Sequence, residues 1–347
     1  MSVTTSRPVS LTDADIADVP AEVVERLTAA RRVLTVCHRD PEADALGSAL
    51  GVAMLVEALG GRATPVCADP VPALYDFLAG MDRFRQAPEP GVPYDLIVVS
   101  DCGDLERVGS ILLEHADLFA RVPILDIDHH KSNPRFGAFD WVDADAAATC
   151  EMVTLLAARL GVPLELADGR LASALMAGVV IDTANFQHPN TTARTLRVAS
   201  ELRAAGAPLA DIARRLYRTK PNEQLQLFGR ILARLETALD GRIVWSTLRP
   251  DDLTATGSPA SYSEGLIDLL AQSESGDVAI LFKEQGPITR ISVRTRDGGV
   301  DATQLTGRFG GGGHARAAGA TLEHPIDEAR RLVLQEAERL VRALGDR

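Results

Sequence analysis

Histidine and carboxylate side chains are concentrated in residues 38–48, which run HRDPEADALGS. The residues there of the types that bind metals are His38, Asp40, Glu42 and Asp44. They follow an apolar run, 33–37, that predicts a short buried strand. Apolar residues at helical spacing come next and end at Gly60, which predicts a helix. Because ligand sites of open α/β sheets gather at the carboxyl ends of strands, this pattern predicts a metal site.

Three later segments also end an apolar run in acids or histidines. They contain Asp101 after the run 95–99, Asp128, His129 and His130 after 122–127, and Asp182 after the helical pattern 168–180. A single acid in such a place more often caps a helix or faces solvent. Several together favour metal binding, and oxygen ligands mixed with imidazole suit Mn²⁺ or Mg²⁺ better than structural zinc. The pattern therefore predicts a centre for two divalent cations, Mn²⁺ or Mg²⁺.

The order of the predicted elements indicates an α/β protein of two domains. Strand-like runs alternate with helical patterns in the first half, a rhythm typical of a parallel sheet. A helical stretch then leads to strands at about 242–248, 277–284 and 288–296, with helices near 261–273 and at the carboxyl end. The predicted divisions are a flexible arm, 1–20, a parallel-sheet domain, 21–207, a helical linker, 208–240, and a smaller α/β domain with a mixed sheet, 241–347.

The sequence GGGGHARAAG, residues 310–319, is the unusual feature of the smaller domain. Four glycines would expose main-chain amides, and a histidine and an arginine follow, so the segment is a candidate phosphate cradle. A flexible loop is the plainer alternative. The segment is not a P-loop, because no Gly-Lys-Ser/Thr follows, and it is not a dinucleotide fingerprint. The residues expected to contact a phosphate are Gly311, Gly312, Gly313, His314 and Arg316.

Composition limits the classes of function. With 347 residues, 46% of them hydrophobic and 24% charged, the chain is typical of a globular protein. No apolar run has the length of a membrane span and no signal-peptide pattern occurs, so we expect a cytoplasmic protein without a membrane partner. The four cysteines are scattered and predict buried reduced thiols. A net charge of −12 argues against a long nucleic-acid track but leaves a short phosphorylated ligand open.

The motifs HxxPxxDALGS, Asp-Cys-Gly, Asp-His-His, Asp182 and GGGGHARAAG follow one another between residues 38 and 319. In this combination the chain resembles the DHH phosphoesterases, and within them the enzymes that hydrolyse short oligoribonucleotides and adenosine 3′,5′-bisphosphate. The resemblance implies a DHH domain, a DHH-associated carboxyl-terminal domain, a cleft between the two domains, and two Mn²⁺ ions in the first.

The resemblance also implies roles for single residues. It implies metal ligands at His38, Glu42, Asp44, Asp101, His129 and Asp182. Asp101 would bridge the two ions, and His130 would lie beside the scissile phosphate. It implies substrate contacts at Arg294, His314 and Arg316. One position departs from the family, which usually has Asp where this chain has Glu42, and the longer side chain could still reach a metal or could shift the first site.

The expected reaction is hydrolysis of short oligoribonucleotides or adenosine 3′,5′-bisphosphate to mononucleotides and phosphate. A phosphodiesterase for cyclic or linear dinucleotides is the nearest alternative. A manganese pyrophosphatase is disfavoured by the GGGGHARAAG segment. A nucleotide-binding regulator whose metal centre has decayed through Glu42 is disfavoured because the other ligands are intact. The oligomeric state stays open, with a homodimer among the alternatives.

Overall fold

The structure is a computed structural model that describes residues 10–296 and 298–345. The chain forms two compact units that divide between Thr219 and Lys220. Each unit has its own sheet. The predicted α/β class with two domains is confirmed.

A parallel sheet of five strands forms the centre of the first unit. Its strands are β1 (Arg32–Val36), β2 (Arg62–Val66), β3 (Leu96–Ser100), β4 (Ile124–Asp128) and β5 (Phe139–Val142). Their order is β2-β1-β3-β4-β5, and every neighbouring pair is parallel. The direction of strand addition reverses between β1 and β3, and open α/β sheets bind ligands beyond the carboxyl ends of such a strand pair. The edge strand β5 was not predicted.

Apolar side chains on the two faces of this sheet belong to two core clusters. Val33 of β1 and Val98 of β3 lie in the larger cluster, whereas Leu34 and Ile97, their neighbours in the chain, lie in the other. Burial of both faces explains why the strands are continuous apolar runs rather than alternating ones. The helices of this unit are α1 (Asp13–Ala17), α2 (Ala21–Ala29), α3 (Ala43–Ala58), α4 (Ser110–Glu114), α5 (Ala116–Arg121), α6 (Thr149–Leu160), α7 (Leu166–Asp182), α8 (Ala193–Ala204) and α9 (Leu209–Tyr217).

Helices α3 and α7 pack closely because glycines face the contact. A Cβ atom added at Gly47 would lie 2.6 Å from the carbonyl oxygen of Ala174. A Cβ atom added at Gly178 would lie 2.5 Å from Oδ1 of Asp44, which is too short for an ordinary van der Waals contact. The same close packing brings Asp44, in the first turn of α3, near the carboxyl-terminal part of α7, which ends at Asp182.

A mixed sheet of six strands forms the second unit. Its strands are β6 (Glu236–Ala238), β7 (Ile243–Leu248), β8 (Val278–Gln285), β9 (Ile288–Thr295), β10 (Gly312–His314) and β11 (Ala317–Leu322). Its helices are α10 (Asn222–Leu232), α11 (Pro250–Thr256), α12 (Leu266–Leu270), α13 (Ala302–Gly307) and α14 (Ile326–Ala343). The order is β10-β11-β9-β8-β7-β6, in which β7 and β8 are parallel and the other neighbours are antiparallel. The predicted smaller domain with a mixed sheet is confirmed.

Two segments that were predicted to be an arm and a linker contain packed helices. In the predicted arm, Thr12 caps α1, and Arg197 donates hydrogen bonds of 2.8 and 2.7 Å to Asp15. Residues 1–9 of that arm lie outside the described residues. The predicted linker, 208–240, is divided between the units because Ile212 of α9 lies in the first core, whereas Phe228 of α10 lies in a cluster of the second.

Two simpler predictions concern the membrane and the cysteines. Among the described residues, none of the helices combines the length and the apolar character that crossing a membrane requires. All four cysteines are buried free thiols, as predicted.

Candidate metal centre

His38 follows β1 and turns one ring nitrogen towards a group of carboxylates. Its Nδ1 atom lies 2.7 Å from the carbonyl oxygen of Arg39, and a carbonyl only accepts, so Nδ1 carries the proton. Nε2 is then the nitrogen with a lone pair, and it lies 3.5 Å from Oδ2 of Asp101 and 4.0 Å from Oε1 of Glu42. A main-chain contact that fixes the tautomer is the usual support of a metal-binding histidine.

Asp101 lies at the end of β3, next to β1, and faces histidines with both carboxylate oxygens. Oδ2 lies 3.5 Å from Nε2 of His38, and Oδ1 lies 3.5 Å from Nε2 of His129. The hydroxyl of Thr149 donates to Oδ1 over 3.1 Å. Asp101 also has a φ of 57°, in the left-handed region that side chains rarely adopt. Backbone strain of this kind persists where the surrounding structure imposes it, often at functional sites.

A second group consists of Asp44, His129 and Asp182, whose potential ligand atoms lie within 4.8 Å of one another. Nε2 of His129 lies 3.2 Å from Oδ2 of Asp182. Asp44 accepts hydrogen bonds from the main-chain amides of Thr149, over 2.6 Å, and Cys150, over 2.8 Å. Since these amides belong to the first turn of α6, the carboxylate is fixed at a helix N-terminus, where negative charge is favoured.

Four carboxyl groups and two imidazoles among the predicted ligands lie together at this site, so full ionisation would give an excess of negative charge. Burial raises the pKa of Asp44 well above its ordinary value, and the charge of Asp101 adds to the effect. Although burial favours the neutral acid, the neighbouring imidazoles of His129 and His38 hold the pKa of Asp101 well below its ordinary value. Burial lowers the pKa of His129, but the carboxylates of Asp101 and Asp182 outweigh it and raise that pKa to about 12. Cations would relieve this excess of negative charge.

The donor set fits divalent cations with a preference for hard ligands. His38, Glu42 and Asp101 form one group of potential ligand atoms within 4.8 Å of one another, and the group of Asp44, His129 and Asp182 lies beside it. The carboxylate oxygens outnumber the imidazole nitrogens, and none of the thiols belongs to these groups. This is the ligand chemistry of Mn²⁺ and Mg²⁺.

Glu42, one of the predicted metal ligands, also caps a helix in this structure. Its side chain caps α3, accepting from the main-chain amides of Asp44, over 2.9 Å, and Ala45, over 2.8 Å. Burial raises the pKa of Glu42 well above its ordinary value, and the charges of Asp101 and Asp182 add to the effect. The longer side chain thus folds back onto its own helix while one oxygen stays 4.0 Å from Nε2 of His38.

His130 is held by a buried carboxylate at one side of the centre. Its Nδ1 atom lies 2.7 Å from Oδ1 of Asp128, and Asn133 donates to Oδ2 of Asp128 over 2.7 Å. Asp128 is fully buried, whereas the His130 side chain keeps 30% of its surface exposed. His130 Nδ1 also lies 3.8 Å from Oδ1 of Asp101. An imidazole that is fixed on one side and exposed on the other is suited to transfer a proton to or from a ligand.

The supporting contacts of Asp128 and Thr149 were not predicted. Asp128 was noted as part of the Asp-His-His motif, but only the structure shows that it contacts His130. Thr149 lies 48 residues from Asp101 in the sequence and contacts both Asp101 and Asp44. No spacing rule connects residues so far apart, so this contact had no sequence signal.

In the second unit, strand register puts two predicted substrate contacts on one face of the sheet. His314 of β10 pairs with Ala317 of β11, and Ala317 pairs with Arg294 of β9. Directly paired residues point to the same face, so His314 and Arg294 flank Ala317 in one row. Arg316 lies in the turn between β10 and β11. Arg294 also donates to Asp268 over 2.9 Å.

The last two glycines of the segment begin the edge strand β10, whereas an open loop was predicted. The amide of Gly310 donates to the carbonyl oxygen of Gly307, and that of Gly311 donates to Thr306. The expectation that all four glycine amides are exposed is therefore wrong for these two. A Cβ atom at Gly311 would lie 2.5 Å from that of Ala320, so this glycine permits close approach to β11. Gly312 and Gly313 are exposed.

Known proteins show the same combination of domains. Residues 32–179 match the DHH family, N-terminal domain, and residues 255–343 match the DHHA1 domain. The chain therefore belongs to the DHH family.

Among its relatives are two proteins named bifunctional oligoribonuclease and PAP phosphatase NrnA. The one from Thermus thermophilus is 35% identical over 308 residues, which cover 88% of this chain and 89% of that protein. The one from Bacillus subtilis is 28% identical over 297 residues, covering 85% and 90%. An exopolyphosphatase-related protein from Bacteroides fragilis shares the fold, with a TM-score of 0.85 at 21% identity over 97% of this chain and 100% of that one.

Proposed function

We propose that this protein is a two-metal phosphoesterase that hydrolyses short oligoribonucleotides and adenosine 3′,5′-bisphosphate to mononucleotides and phosphate. One observation carries the proposal: each carboxylate oxygen of Asp101 lies 3.5 Å from Nε2 of a different histidine, His38 or His129. Both histidines therefore share one carboxylate, as a bridged pair of cations requires. The names of the NrnA relatives support the choice of substrates.

In this proposal the ligands divide between two Mn²⁺ ions, with Mg²⁺ as the alternative. His38 and Glu42 would hold one ion, and Asp44, His129 and Asp182 would hold the other. Asp101 would serve both. When bound, such a pair of cations supplies Lewis-acid chemistry, which activates water and offsets charge on phosphate oxygens. Thr149 and the first turn of α6 keep two of the carboxylates in place through the hydrogen bonds described above.

His130 is the proposed proton-transfer residue. Asp128 accepts a hydrogen bond from Nδ1, so Nε2 is the nitrogen left to face a ligand. As an imidazolium, protonated at both nitrogens, the ring would donate the Nε2 proton to a phosphate oxygen or to the leaving oxygen of the ester. The hydrogen bond from Asn133 keeps Asp128 as an acceptor, and this fixes the ring orientation that the transfer needs.

The proposed substrate contacts of the second unit are Arg294, His314 and Arg316, with the exposed Gly312 and Gly313. Guanidinium groups bind phosphate through charge-assisted hydrogen bonds. The net charge of −12 favours a ligand of a few nucleotides, since a long strand needs many neutralising Lys and Arg side chains.

A hydrolysis panel in Mn²⁺ tests the proposal. Its substrates are di- to pentaribonucleotides, adenosine 3′,5′-bisphosphate, a cyclic dinucleotide and pyrophosphate. We expect turnover of the short oligoribonucleotides and the bisphosphate, and in the Arg316→Ala variant a higher KM with unchanged metal content. Turnover of only the cyclic dinucleotide or only pyrophosphate would assign a different substrate. Nucleotide binding without any hydrolysis would favour the regulator.

The location of the protein is part of the same proposal. We propose that it acts in the cytoplasm on short RNA or small nucleotides and has no membrane partner. Fractionation of the source cells tests this point, and a membrane-associated protein would contradict it. Light scattering on the purified protein measures the oligomeric state, for which a homodimer is one of the alternatives.

A further inference from the structure

Tyr217 is unusual among the exposed side chains of this protein. Within the described residues, the large hydrophobic side chains that are exposed are leucines except for this one aromatic ring. Tyr217 is the last residue of α9 and 38% exposed. Aromatic residues make up only 4% of the chain. The exposure of this aromatic ring therefore calls for an explanation.

The hydroxyl of Tyr217 is fixed next to the metal centre. It lies 3.1 Å from the carbonyl oxygen of Ile181 and 3.2 Å from that of Val180, and it donates to these carbonyls. Both residues belong to the last turn of α7, directly before Asp182. Burial raises the pKa of Tyr217 to about 12, and the charges of Asp182 and Glu42 add to the effect, so the phenol stays a donor. Asp182, a proposed ligand, directly follows Ile181 in the chain, so the hydroxyl lies close to the proposed ligand set.

We propose that Tyr217 is the surface on which a nucleobase of the substrate stacks while the adjoining phosphate is held at the metal centre. The inference rests on the proposed function. A ring whose hydroxyl is fixed loses little conformational freedom when a base packs on it. Every base has a π-face, so stacking on an aromatic side chain accepts any base, as an enzyme for short oligoribonucleotides of mixed sequence requires.

A purely structural role is the competing explanation, because the same hydrogen bonds support the end of α7. The two roles make different demands on the side chain. Stacking needs the ring but not the hydroxyl, whereas support of α7 needs the hydroxyl. Tyr217→Phe keeps the ring alone, and Tyr217→Leu keeps neither while preserving an apolar side chain.

Two substrates that differ only in the base separate these roles further. They are adenosine 3′,5′-bisphosphate and ribose 3′,5′-bisphosphate, and KM and kcat are measured for both with the parent, Tyr217→Phe and Tyr217→Leu, together with Mn²⁺ content. We expect Tyr217→Leu to raise KM for the adenosine compound roughly 5- to 100-fold, the range for loss of one stacked base. Its KM for the ribose compound and its Mn²⁺ content should equal those of the parent, and Tyr217→Phe should resemble the parent on both substrates.

Three results would overturn the inference: an equal change on both substrates, no change in Tyr217→Leu, or a loss in Tyr217→Phe as large as in Tyr217→Leu. A parent enzyme that hydrolyses neither these bisphosphates nor a diribonucleotide contradicts the proposed function itself. If only the diribonucleotide is hydrolysed, the comparison is made with that compound and its analogue lacking one base.

Discussion

Oδ1 of Asp128 lies 2.7 Å from Nδ1 of His130, in a contact between a fully buried carboxylate and a partly exposed imidazole. A carboxylate in this position selects the tautomer and orientation of the ring. The three residues of the Asp-His-His motif therefore have different surroundings. Asp128 supports His130, His129 faces the carboxylates of Asp101 and Asp182, and His130 is partly exposed.

The first prediction concerns His130 and its support. His130→Ala should lower kcat by roughly 100- to 10,000-fold, the usual contribution of a positioned acid or base. Asp128→Asn should lower kcat less, because the ring stays present but loses its charged acceptor. Both variants should bind as much Mn²⁺ as the parent. His324→Ala, at a partly exposed histidine paired with Glu328, is the control. Equal kcat in parent and His130→Ala would remove His130 from the reaction.

The second prediction concerns Glu42, which caps α3 and lies close to His38. Glu42→Ala should abolish hydrolysis and also cost about 1 kcal/mol of stability through loss of the cap. Glu42→Asp should keep activity or shift its Mn²⁺ dependence modestly, because a shorter carboxylate is still a hard donor and a good cap. Rates across a Mn²⁺ titration and thermal melts measure both effects. If Glu42→Ala hydrolysed oligonucleotides as fast as the parent at every Mn²⁺ concentration, Glu42 would not be a ligand.

The third prediction concerns the packing that positions Asp44. A Cβ atom at Gly178 would lie 2.5 Å from Oδ1 and 2.9 Å from Cα of Asp44. Gly178→Ala should therefore cost about 1–3 kcal/mol of stability, as overpacking does, and weaken Mn²⁺ binding. Gly229→Ala is the matched control in α10, since a Cβ atom added there would meet no packed neighbour among the described residues within 4 Å, and it should stabilise by roughly 0.5–1 kcal/mol. Equal melting temperatures and Mn²⁺ affinities for Gly178→Ala and the parent would contradict the packing argument.

The fourth prediction concerns Asp126, a buried residue of β4. Burial raises its pKa to about 8 from an ordinary 3.8. Between these values the folded chain holds a proton at Asp126 that the unfolded chain has lost. Its contribution to stability is fully present below pH 3.8 and is lost as the pH rises through about 8. The slope is at most about 1.4 kcal/mol per pH unit.

Asp126→Asn should remove this dependence, because an amide stays neutral at every pH. The melting temperature of the variant should exceed that of the parent by an amount that grows from about pH 5 to about pH 8. Asp117→Asn, at an exposed aspartate, should give no such trend. A constant difference between Asp126→Asn and the parent across this range would show that Asp126 is ionised at neutral pH in the folded chain.

The central strands could be predicted from the sequence because each is a continuous apolar run. β5 was missed, since Phe139–Val142 is only four residues long and contains an acid. β10 and β11 were missed for a different reason. Glycine disfavours strands when considered alone, and only the structure shows that Gly311 and Gly313 leave room for the neighbouring strand.

The sequence identified the candidate ligands better than it identified their surroundings. Acids and histidines after apolar runs can be found by inspection, and the parallel sheet then implies that they meet at one edge. The cap formed by Glu42 and the contact between Thr149 and Asp101 depend on the directions of side chains. Spacing along the chain carries no information on those directions, so these contacts required the structure.

The proposed two-metal centre depends most on Asp101, whose carboxylate would be shared by the two ions. Counting bound Mn²⁺ in the parent and in Asp101→Asn tests this most directly, since the amide keeps the size of the side chain but cannot bind two cations through two charged oxygens. We predict two Mn²⁺ per chain in the parent and in the Asp117→Asn control, and at most one in Asp101→Asn, with loss of hydrolysis. Two bound Mn²⁺ and a kcat equal to that of the parent in Asp101→Asn would contradict the account.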